Sequence, residues 1–569
     1  MTRTRSTSQA AEILILITLL CGPTQAAGRL PTYARQGMVV SASEIASRLG
    51  RDILQKGGNA IDAAVTTGFA LAVTWPAAGN IGGGGFLVYH GANGQVTTFD
   101  FREKAPLAST QDMYLDASGS VRNNSNHDGF LSIGVPGTVA GLYAAHAKLG
   151  RLSWSELVEP AVRLAEDGVP FTWALHHQAT GRLAEDLDRY PSSAAILRTG
   201  GEAYAPDETW RQPDLARTLT RIQDYGHDGF YSGETAKRLS DFVTANGGFI
   251  TEKDLSAYRA IERRPIHGTY RGYDVYAMPP PSSGGIAIVE MLNILEGYNL
   301  ARLGHNSADY LHLLTEAMRR AFADRAEHLG DPDFNPQMPI ERLTSKARAR
   351  RLRASIDPAR ASVSDSTRFA LPYESEETTH YSIVDADRNA VSVTYTLEQS
   401  YGSKIVAEGL GFFLNNEMGD FNAVPGETSS RGQIGTPPNV IAPEKRMLSS
   451  MTPTIIAKEG KAAYVIGSPG GRTIINTVLQ VSLNLIDHGM DIAQAVEAGR
   501  IHHQWLPDIT SFEQWTISPD TKTQYEGMGH RVRSRASQGR VMAIAIDYTR
   551  SLLTGAADSR SPDGAAVGY

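Results

Sequence analysis

The feature that most constrains the fold is a run of strictly alternating apolar and polar residues that follows two adjacent threonines. Residues 390–397 have the period of a half-buried strand, and residues 378–384 form a shorter run before them. The turn residues 385–389 between the two runs predict a β-hairpin. A turn centred on Asp387 places Thr378 opposite Thr396, and a one-residue slip in register would undo this pairing. Taken alone, the pattern also fits a threonine-rich hairpin on the protein surface.

The composition is that of a water-soluble globular protein. The chain has 569 residues, of which 41% are hydrophobic and 20% are charged, so it forms either one large domain or several small ones. The formal net charge is −7 and no long basic run is present, which argues against a surface for nucleic acid or an anionic membrane.

Residues 1–27 have the pattern of a secretory signal peptide, which predicts a secreted or periplasmic protein. Two arginines precede an apolar run, residues 13–20, that is too short to span a bilayer, and small residues follow at 24–27. A lipoprotein signal at Cys21 is the alternative, but Leu20 is bulky for such a signal. Since Cys21 is the only cysteine, the mature chain would rely on its hydrophobic core rather than on disulfides.

After residue 37 the chain alternates between helical and strand-like segments. Ser43 is a candidate N-cap for a helix that runs to Leu54, and residues 59–73 are almost entirely apolar, which predicts burial on most sides. Further predicted helices span residues 139–149, 156–167, 214–224, 234–246, 287–295, 308–329 and 473–486.

A glycine-rich loop at residues 80–86 leads into a strand. Nucleotide-binding loops pass from a strand to a helix, so close backbone packing or approach of a ligand is the favoured interpretation here. The next strand ends at Arg102, beside Glu103, which fits either a surface ion pair or a ligand contact. We expect no metal or cofactor, because the mature chain has no cysteine and we find no spaced group of histidines and carboxylates.

The second half of the chain contains the elements of an N-terminal nucleophile. Residues 341–377 are charged and predict a tether that ends at Thr378. A threonine hydroxyl needs an adjacent base, and its own free α-amino group would serve if the Glu377–Thr378 bond were cut. Gly470 and Gly471 precede a predicted helix, where backbone amides can hold an oxyanion.

Seven segments resemble the γ-glutamyltransferase family, and the resemblance extends over essentially the whole chain after the leader, with the segments in the family's order and spacing. They are residues 80–86, 100–106, 378–397, 415–421, 445–454, 467–471 and 500–507. The resemblance implies an N-terminal-nucleophile hydrolase of the α+β class, a four-layer αββα sandwich. It also implies one precursor that cleaves itself into a large subunit, residues 28–377, and a small subunit, residues 378–569.

The resemblance also implies a role for each candidate site residue. Thr378 would be the nucleophile, with Thr396 hydrogen-bonded to it and Gly470 and Gly471 forming the oxyanion hole. A γ-glutamyl donor carries an α-carboxylate, which calls for arginine and hydroxyl donors, and an α-ammonium, which calls for carboxylates. The corresponding residues are Arg102, Ser449 and Ser450 for the carboxylate, and Asp420, Glu417 and Glu398 for the ammonium.

Two positions depart from the pattern of many relatives. Glu398 stands where many have asparagine, and it is expected to keep the ammonium-binding role. Arg431, within the loop at residues 424–444, stands where some relatives carry a lid tyrosine. The closure of this lid and the balance between hydrolysis and transfer are therefore open.

The sequence thus predicts an exported γ-glutamyltransferase and glutathione hydrolase that works as a heterodimer of its two subunits. Its donors would be glutathione and other γ-glutamyl compounds, and its acceptors water, amino acids or dipeptides. An amidase of the same fold, such as a cephalosporin or glutaryl acylase, is the first alternative, and the three candidate ammonium ligands argue against it. An uncleaved secreted binding protein with a degenerate site is the second.

Overall fold

The computed structural model describes residues 28–364, 378–426 and 435–569. The predicted signal peptide with Cys21, the residue Glu377 and the residue Arg431 lie outside these ranges. Among the described residues, no helix has the length and apolar character needed to cross a bilayer.

The strands are β1 (Thr32–Ala34), β2 (Met38–Ser41), β3 (Gly84–His90), β4 (Val96–Phe101), β5 (Val169–Pro170), β6 (Arg198–Thr199), β7 (Glu202–Ala203), β8 (Thr209–Trp210), β9 (Ile261–Arg263), β10 (Ile266–Tyr270), β11 (Tyr273–Ala277), β12 (Thr379–Val384), β13 (Ala390–Thr396), β14 (Thr454–Lys458), β15 (Lys461–Gly467), β16 (Ile501–His502), β17 (Thr510–Glu513), β18 (Val532–Arg535), β19 (Met542–Asp547), β20 (Leu552–Ala557) and β21 (Ala565–Gly568).

The α-helices are α1 (Glu44–Gln55), α2 (Ala60–Thr74), α3 (Thr138–Leu149), α4 (Trp154–Asp167), α5 (Trp173–Thr180), α6 (Ala184–Asp188), α7 (Pro191–Leu197), α8 (Pro213–Tyr225), α9 (Asp228–Tyr231), α10 (Gly233–Ala245), α11 (Glu252–Ala257), α12 (Gly284–Leu295), α13 (Leu300–Leu303), α14 (Ala308–His328), α15 (Ile340–Leu343), α16 (Lys346–Ala354), α17 (Thr473–Ile486), α18 (Ile492–Glu497) and α19 (Pro519–Gly527).

Two antiparallel sheets form the centre of the molecule. The first has the strand order β21-β2-β12-β13-β3-β4-β9, and the second has the order β1-β20-β19-β15-β14-β11-β10. Each sheet combines strands from before and after residue 378. A cut at that position would therefore leave two chains that share both sheets through backbone hydrogen bonds.

Helices cover the outer face of each sheet. Helices α1, α2 and α3 pack on the first sheet, and α12, α17 and α18 pack on the second. The inner faces meet where β12 and β13 contact β15 and where β12 contacts β19. The predicted α+β four-layer αββα sandwich is therefore confirmed.

The predicted hairpin is present with the predicted register. Strand β12 pairs with β13 from Thr379 opposite Tyr395 to Val384 opposite Ala390, which centres the turn on Asp387. Continuing this register by one residue places Thr378 opposite Thr396.

The prediction that residues 390–397 are half-buried is wrong, because β13 is buried along its whole length. The tyrosine hydroxyls on one face reach α2, and Tyr395 donates a hydrogen bond to the Gly68 carbonyl oxygen at 2.9 Å. The polar face lies against the second sheet, where the Ser392 hydroxyl donates to the Ile466 carbonyl oxygen at 3.2 Å. The alternating pattern is the same whether the polar face meets water or a second sheet.

The predicted helices are all present, and their ends differ from the predicted ends by at most three residues. Ser43 caps α1, since its side chain accepts a hydrogen bond from the Ala46 amide. Helix α2 is buried at every position, as its apolar sequence predicted.

Candidate active site

A cavity lies where β12 begins, β4 and β13 end, and α17 starts. Its lining includes nine of the ten residues predicted for the site, and the tenth, Gly470, precedes the lining residue Gly471. The lining residues are Arg102, Thr378, Thr396, Glu398, Glu417, Asp420, Ser449, Ser450, Met451, Gly471 and Ile474. Met451 and Ile474 are apolar residues that the sequence analysis did not select.

The two threonines are buried at one end of the hairpin. Thr378 is 4% exposed and Thr396 is 3% exposed. The Thr396 hydroxyl oxygen accepts a hydrogen bond from the Glu398 amide at 2.9 Å. The Asn80 side chain donates to the Thr396 carbonyl oxygen at 3.0 Å, and this bond ties the end of β13 to the glycine-rich loop.

The glycine-rich loop packs against the strand that carries Thr396. A Cβ atom on Gly83 would lie 2.0 Å from the Thr396 carbonyl oxygen, and one on Gly85 would lie 2.5 Å from the Thr394 carbonyl oxygen. The Asn80 side-chain oxygen Oδ1 accepts a hydrogen bond from the Gly83 amide at 2.9 Å. Close backbone packing therefore accounts for these glycines.

Arg102 is the central cation of the cavity. It is 1% exposed, so the interpretation as a surface ion pair is wrong. Its guanidinium contacts the carboxylates of Glu417 and Asp420, and it lies 3.5 Å from an oxygen of Glu103. Burial by itself would lower the pKa of Arg102, but these carboxylates outweigh burial and raise it.

Three carboxyl groups and one guanidinium group line the cavity. Burial raises the pKa of Glu103 to about 8 and raises the pKa of Glu417 well above its usual range, although Arg102 acts in the opposite direction. Glu398 lies 3.6 Å from His127. Burial opposes the charge on this imidazole, but Glu398 outweighs burial and raises the pKa of His127. A ligand cation would relieve the repulsion among these groups.

The two serines are positioned by contacts with the segment before α12 and with α14. The Ser283 amide donates to the Ser449 carbonyl oxygen at 2.7 Å. The Arg325 guanidinium on α14 donates to the Ser450 and Ser283 hydroxyl oxygens, both at 2.9 Å. The sequence analysis missed Arg325, because it lies within a long helix and no local pattern separates it from its neighbours.

The turn at Gly470 and Gly471 presents backbone to the cavity. Both residues have positive φ angles, 130° and 54°, which favour glycine. Their carbonyl oxygens accept bonds from the amides of Thr473, at 3.0 Å, and Ile474, at 3.1 Å. These bonds tie both peptide units to the first turn of α17, where backbone amides stabilise negative charge.

The structure corrects the statement that no histidine–carboxylate group is present. Among the described residues, His312, Glu316 and His530 have potential ligand atoms within 4.8 Å of one another, and the i, i+4 spacing of the first two on α14 was the available signal. The Glu316 oxygens already accept hydrogen bonds from arginine side chains and from Ser362. These bonds occupy the lone pairs that a metal ion would need.

Comparisons with known proteins identify the family of this chain. The family model described as Gamma-glutamyltranspeptidase matches residues 46–568. The glutathione hydrolase proenzyme of Escherichia coli (strain K12) is 46% identical over 541 residues, which cover 95% of this chain and 93% of that protein. The Acylase ACY 1 proenzyme of Pseudomonas sp. (strain V22) is 39% identical over 544 residues, with 94% of each chain covered.

A solved structure supports the fold independently. The crystal structure of cephalosporin acylase from Bacillus halodurans matches with a TM-score of 0.84 at 27% identity, covering 96% of this chain and 98% of that one. The match of the family model over most of the chain, together with the identity to the proenzymes, shows that this chain belongs to the γ-glutamyltranspeptidase family.

Proposed function

We propose that the chain is a self-cleaving γ-glutamyltransferase with glutathione hydrolase activity. The observation that carries this proposal is that one cavity contains Thr378, a buried arginine and three carboxylates. A γ-glutamyl donor has a reactive carbonyl, an α-carboxylate and an α-ammonium, and each finds a chemical counterpart in this cavity.

Maturation would begin with attack of the Thr378 hydroxyl on the Glu377 carbonyl carbon. A C–O ester bond forms, the C–N peptide bond breaks, and the hydroxyl proton is transferred to the released amine. Water then hydrolyses the ester, which gives a Glu377 carboxylate and a free α-amino group on Thr378. The products are a large subunit of residues 28–377 and a small subunit of residues 378–569.

In turnover, the free α-amino group of Thr378 accepts the hydroxyl proton while the oxygen attacks the γ-carbonyl of the donor. The amides of Gly470 and Gly471 hold the developing oxyanion, and Thr396 orients the nucleophile. The amine of the donor leaves with the proton, and an ester of Thr378 remains. Water, an amino acid or a dipeptide then accepts the γ-glutamyl group.

Donor selection follows from the charges around Arg102. Arg102 contacts Asp420 and Glu417 in the structure. A γ-glutamyl donor would insert its α-carboxylate at Arg102, Ser449 and Ser450 and offer its α-ammonium to Asp420, Glu417 and Glu398. A glutaryl donor would also bind Arg102 through its carboxylate, but it has no ammonium to pair with the Asp420 and Glu417 carboxylates that it displaces from Arg102. Leaving these carboxylates unpaired in a buried site is costly.

Residues 1–27 support export, and we propose a secreted or periplasmic heterodimer of the two subunits. The leader pattern carries this part of the proposal.

The test is to measure kcat/KM of the wild type for a γ-glutamyl anilide and a glutaryl anilide. We expect strong preference for the γ-glutamyl donor, because only this donor has an α-ammonium. Equal use of both donors would favour an acylase. This is the specific alternative because one similar protein is named an acylase proenzyme and one similar structure is a cephalosporin acylase. A chain that stays intact and turns over neither donor would be the binding protein.

A further inference from the structure

The last described residues before residue 378 are held by the buried carboxylate of Glu316 and the partly buried carboxylate of Asp508. The Ser362 amide and hydroxyl donate to the two carboxylate oxygens of Glu316, at 3.1 Å and 2.5 Å. The Ser364 amide donates to a carboxylate oxygen of Asp508 at 2.9 Å, and Arg319 contacts the Ser364 hydroxyl. Val363 between the two serines points outward and is 87% exposed.

The arginines of α14 balance the charge of these carboxylates. Arg319 contacts both Glu316 and Asp508, and Arg320 contacts Glu316 at 2.6 Å. Burial by itself would raise the pKa of Glu316, but the Ser362 hydroxyl and the two arginines lower it to about 2. Burial by itself would also raise the pKa of Asp508, but the hydrogen bond from His503 and the charge of Arg319 lower it. Both carboxylates are therefore ionised at neutral pH and accept strong, charge-assisted hydrogen bonds.

Asp508 follows residues 500–507, one of the seven segments that resemble the family. No residue of this segment lines the catalytic cavity. The Trp505 amide donates to Nδ1 of His503 at 3.1 Å, so Nε2 of this histidine carries the proton. Nε2 lies 3.2 Å from an oxygen of Asp508 and donates to it. This segment therefore orients Asp508 and does not line the catalytic cavity.

The contact crosses the expected subunit boundary. Ser362, Ser364, Glu316 and Arg319 precede residue 378, whereas Asp508 follows it. Thirteen residues, 365–377, connect Ser364 to Thr378, whose position is set by the hairpin register. The hairpin therefore fixes the chain after the scissile bond, and the contacts of Ser362 and Ser364 fix it before that bond, which restricts how the two sides can move relative to each other.

We propose that Glu316, Arg319 and Asp508 form a tail anchor that holds Ser362 and Ser364 and positions the Glu377–Thr378 bond for self-cleavage. The three are positioning residues, since they act through the chain rather than on the reacting atoms. The inference rests on the proposed self-cleavage and assigns the segment at residues 500–507 a role in maturation, separate from donor turnover.

The experiment follows cleavage of the full-length chain by pulse–chase labelling and denaturing gels. Two variants weaken the anchor from opposite sides: Asp508→Asn, and the double change Ser362→Ala/Ser364→Ala, which removes only two hydroxyl groups. Asp324→Asn is the matched control, because Asp324 lies on the same helix and pairs with Arg348 instead of the tail. Once processing is complete, kcat, KM and the melting temperature of each mature protein are measured.

We expect both anchor variants to slow cleavage about tenfold, the size of one lost charge-assisted contact. Their mature forms should keep the kcat and KM of the wild type, and Asp324→Asn should cleave at the wild-type rate. Cleavage of both anchor variants at the wild-type rate would overturn the proposal. A fall in kcat/KM of their mature forms by the same factor as the fall in cleavage rate would also overturn it. If Asp508→Asn fails to fold, the double serine variant decides. Failure of the wild type to cleave at Glu377–Thr378 would instead refute the proposed function.

Discussion

Replacing Asp420 with asparagine removes one of the carboxylates that face Arg102 while keeping the size of the side chain. Asp420 lines the cavity, and its side chain is 13% exposed. In the proposed complex it accepts a hydrogen bond from the α-ammonium of the donor. In the structure it contacts the Arg102 guanidinium, so the change acts at the positions proposed for both charged ends of the donor.

The two effects have opposite signs. Losing a charge-assisted contact to the α-ammonium costs about 1.5–3 kcal/mol, or roughly 10- to 100-fold in kcat/KM for γ-glutamyl donors. Removing a carboxylate that competes for Arg102 makes the arginine more available to a donor carboxylate. A glutaryl donor has no α-ammonium and experiences only this second effect, so its kcat/KM should stay the same or rise.

The assay compares kcat/KM for γ-glutamyl and glutaryl anilides with the wild type and with Asp420→Asn. Asp333→Asn is the matched control, because Asp333 pairs with Arg263 and lies outside the cavity lining. The ratio of γ-glutamyl to glutaryl turnover should fall by at least about tenfold in Asp420→Asn and stay constant in the control. An equal loss for both donors would show that Asp420 does not bind the ammonium, and the reasoning would fail.

Three further changes test other parts of the structure. Arg102→Lys keeps a positive charge but loses the two-pronged geometry that suits a carboxylate, so KM for γ-glutamyl donors should rise by at least about tenfold, and an unchanged KM would remove Arg102 from the donor site. Gly467→Ala would place a Cβ atom 2.1 Å from Cε1 of His380, so we expect a clear drop in the melting temperature, and an unchanged value would contradict the packing between the sheets. Burial lowers the pKa of His380 to about 3, so below pH 6.5 the unfolded chain binds a proton that the folded chain excludes, and stability falls as the pH falls. Between pH 7 and pH 5 the wild type should lose about 2 kcal/mol more than His380→Gln in the free energy of unfolding, and parallel losses would contradict the neutral buried imidazole.

Local patterns in the sequence were sufficient for the hairpin and for the nine helices that were predicted, but not for the helices Ile340–Leu343 and Lys346–Ala354, which lie where a tether was expected. Strict alternation on both sides of a short turn determines which residues pair, and the observed pairing of Thr379 with Tyr395 follows from it. Helix ends were predictable because their signals lie within a few residues, as with Ser43 at the start of α1. The family resemblance supplied the candidate site residues, whose roles remain proposals.

Features that depend on contacts between distant segments were not predictable. The polar face of β13 meets the second sheet rather than water, and alternation cannot distinguish the two. Arg325 reaches Ser450 from a helix 125 positions away in sequence. The bond between Ser364 and Asp508 spans 144 positions, and neither residue belongs to a local motif that indicates the other.

The central claim is that Thr378 becomes the first residue of a separate chain. The direct measurement is a denaturing gel of the purified protein followed by N-terminal sequencing of the smaller band. We expect two bands for the wild type, of which the smaller begins at Thr378 and has His380 as its third residue, and a single uncut chain for Thr378→Ala. A smaller band that begins at another residue, or efficient cleavage of Thr378→Ala, would contradict the claim.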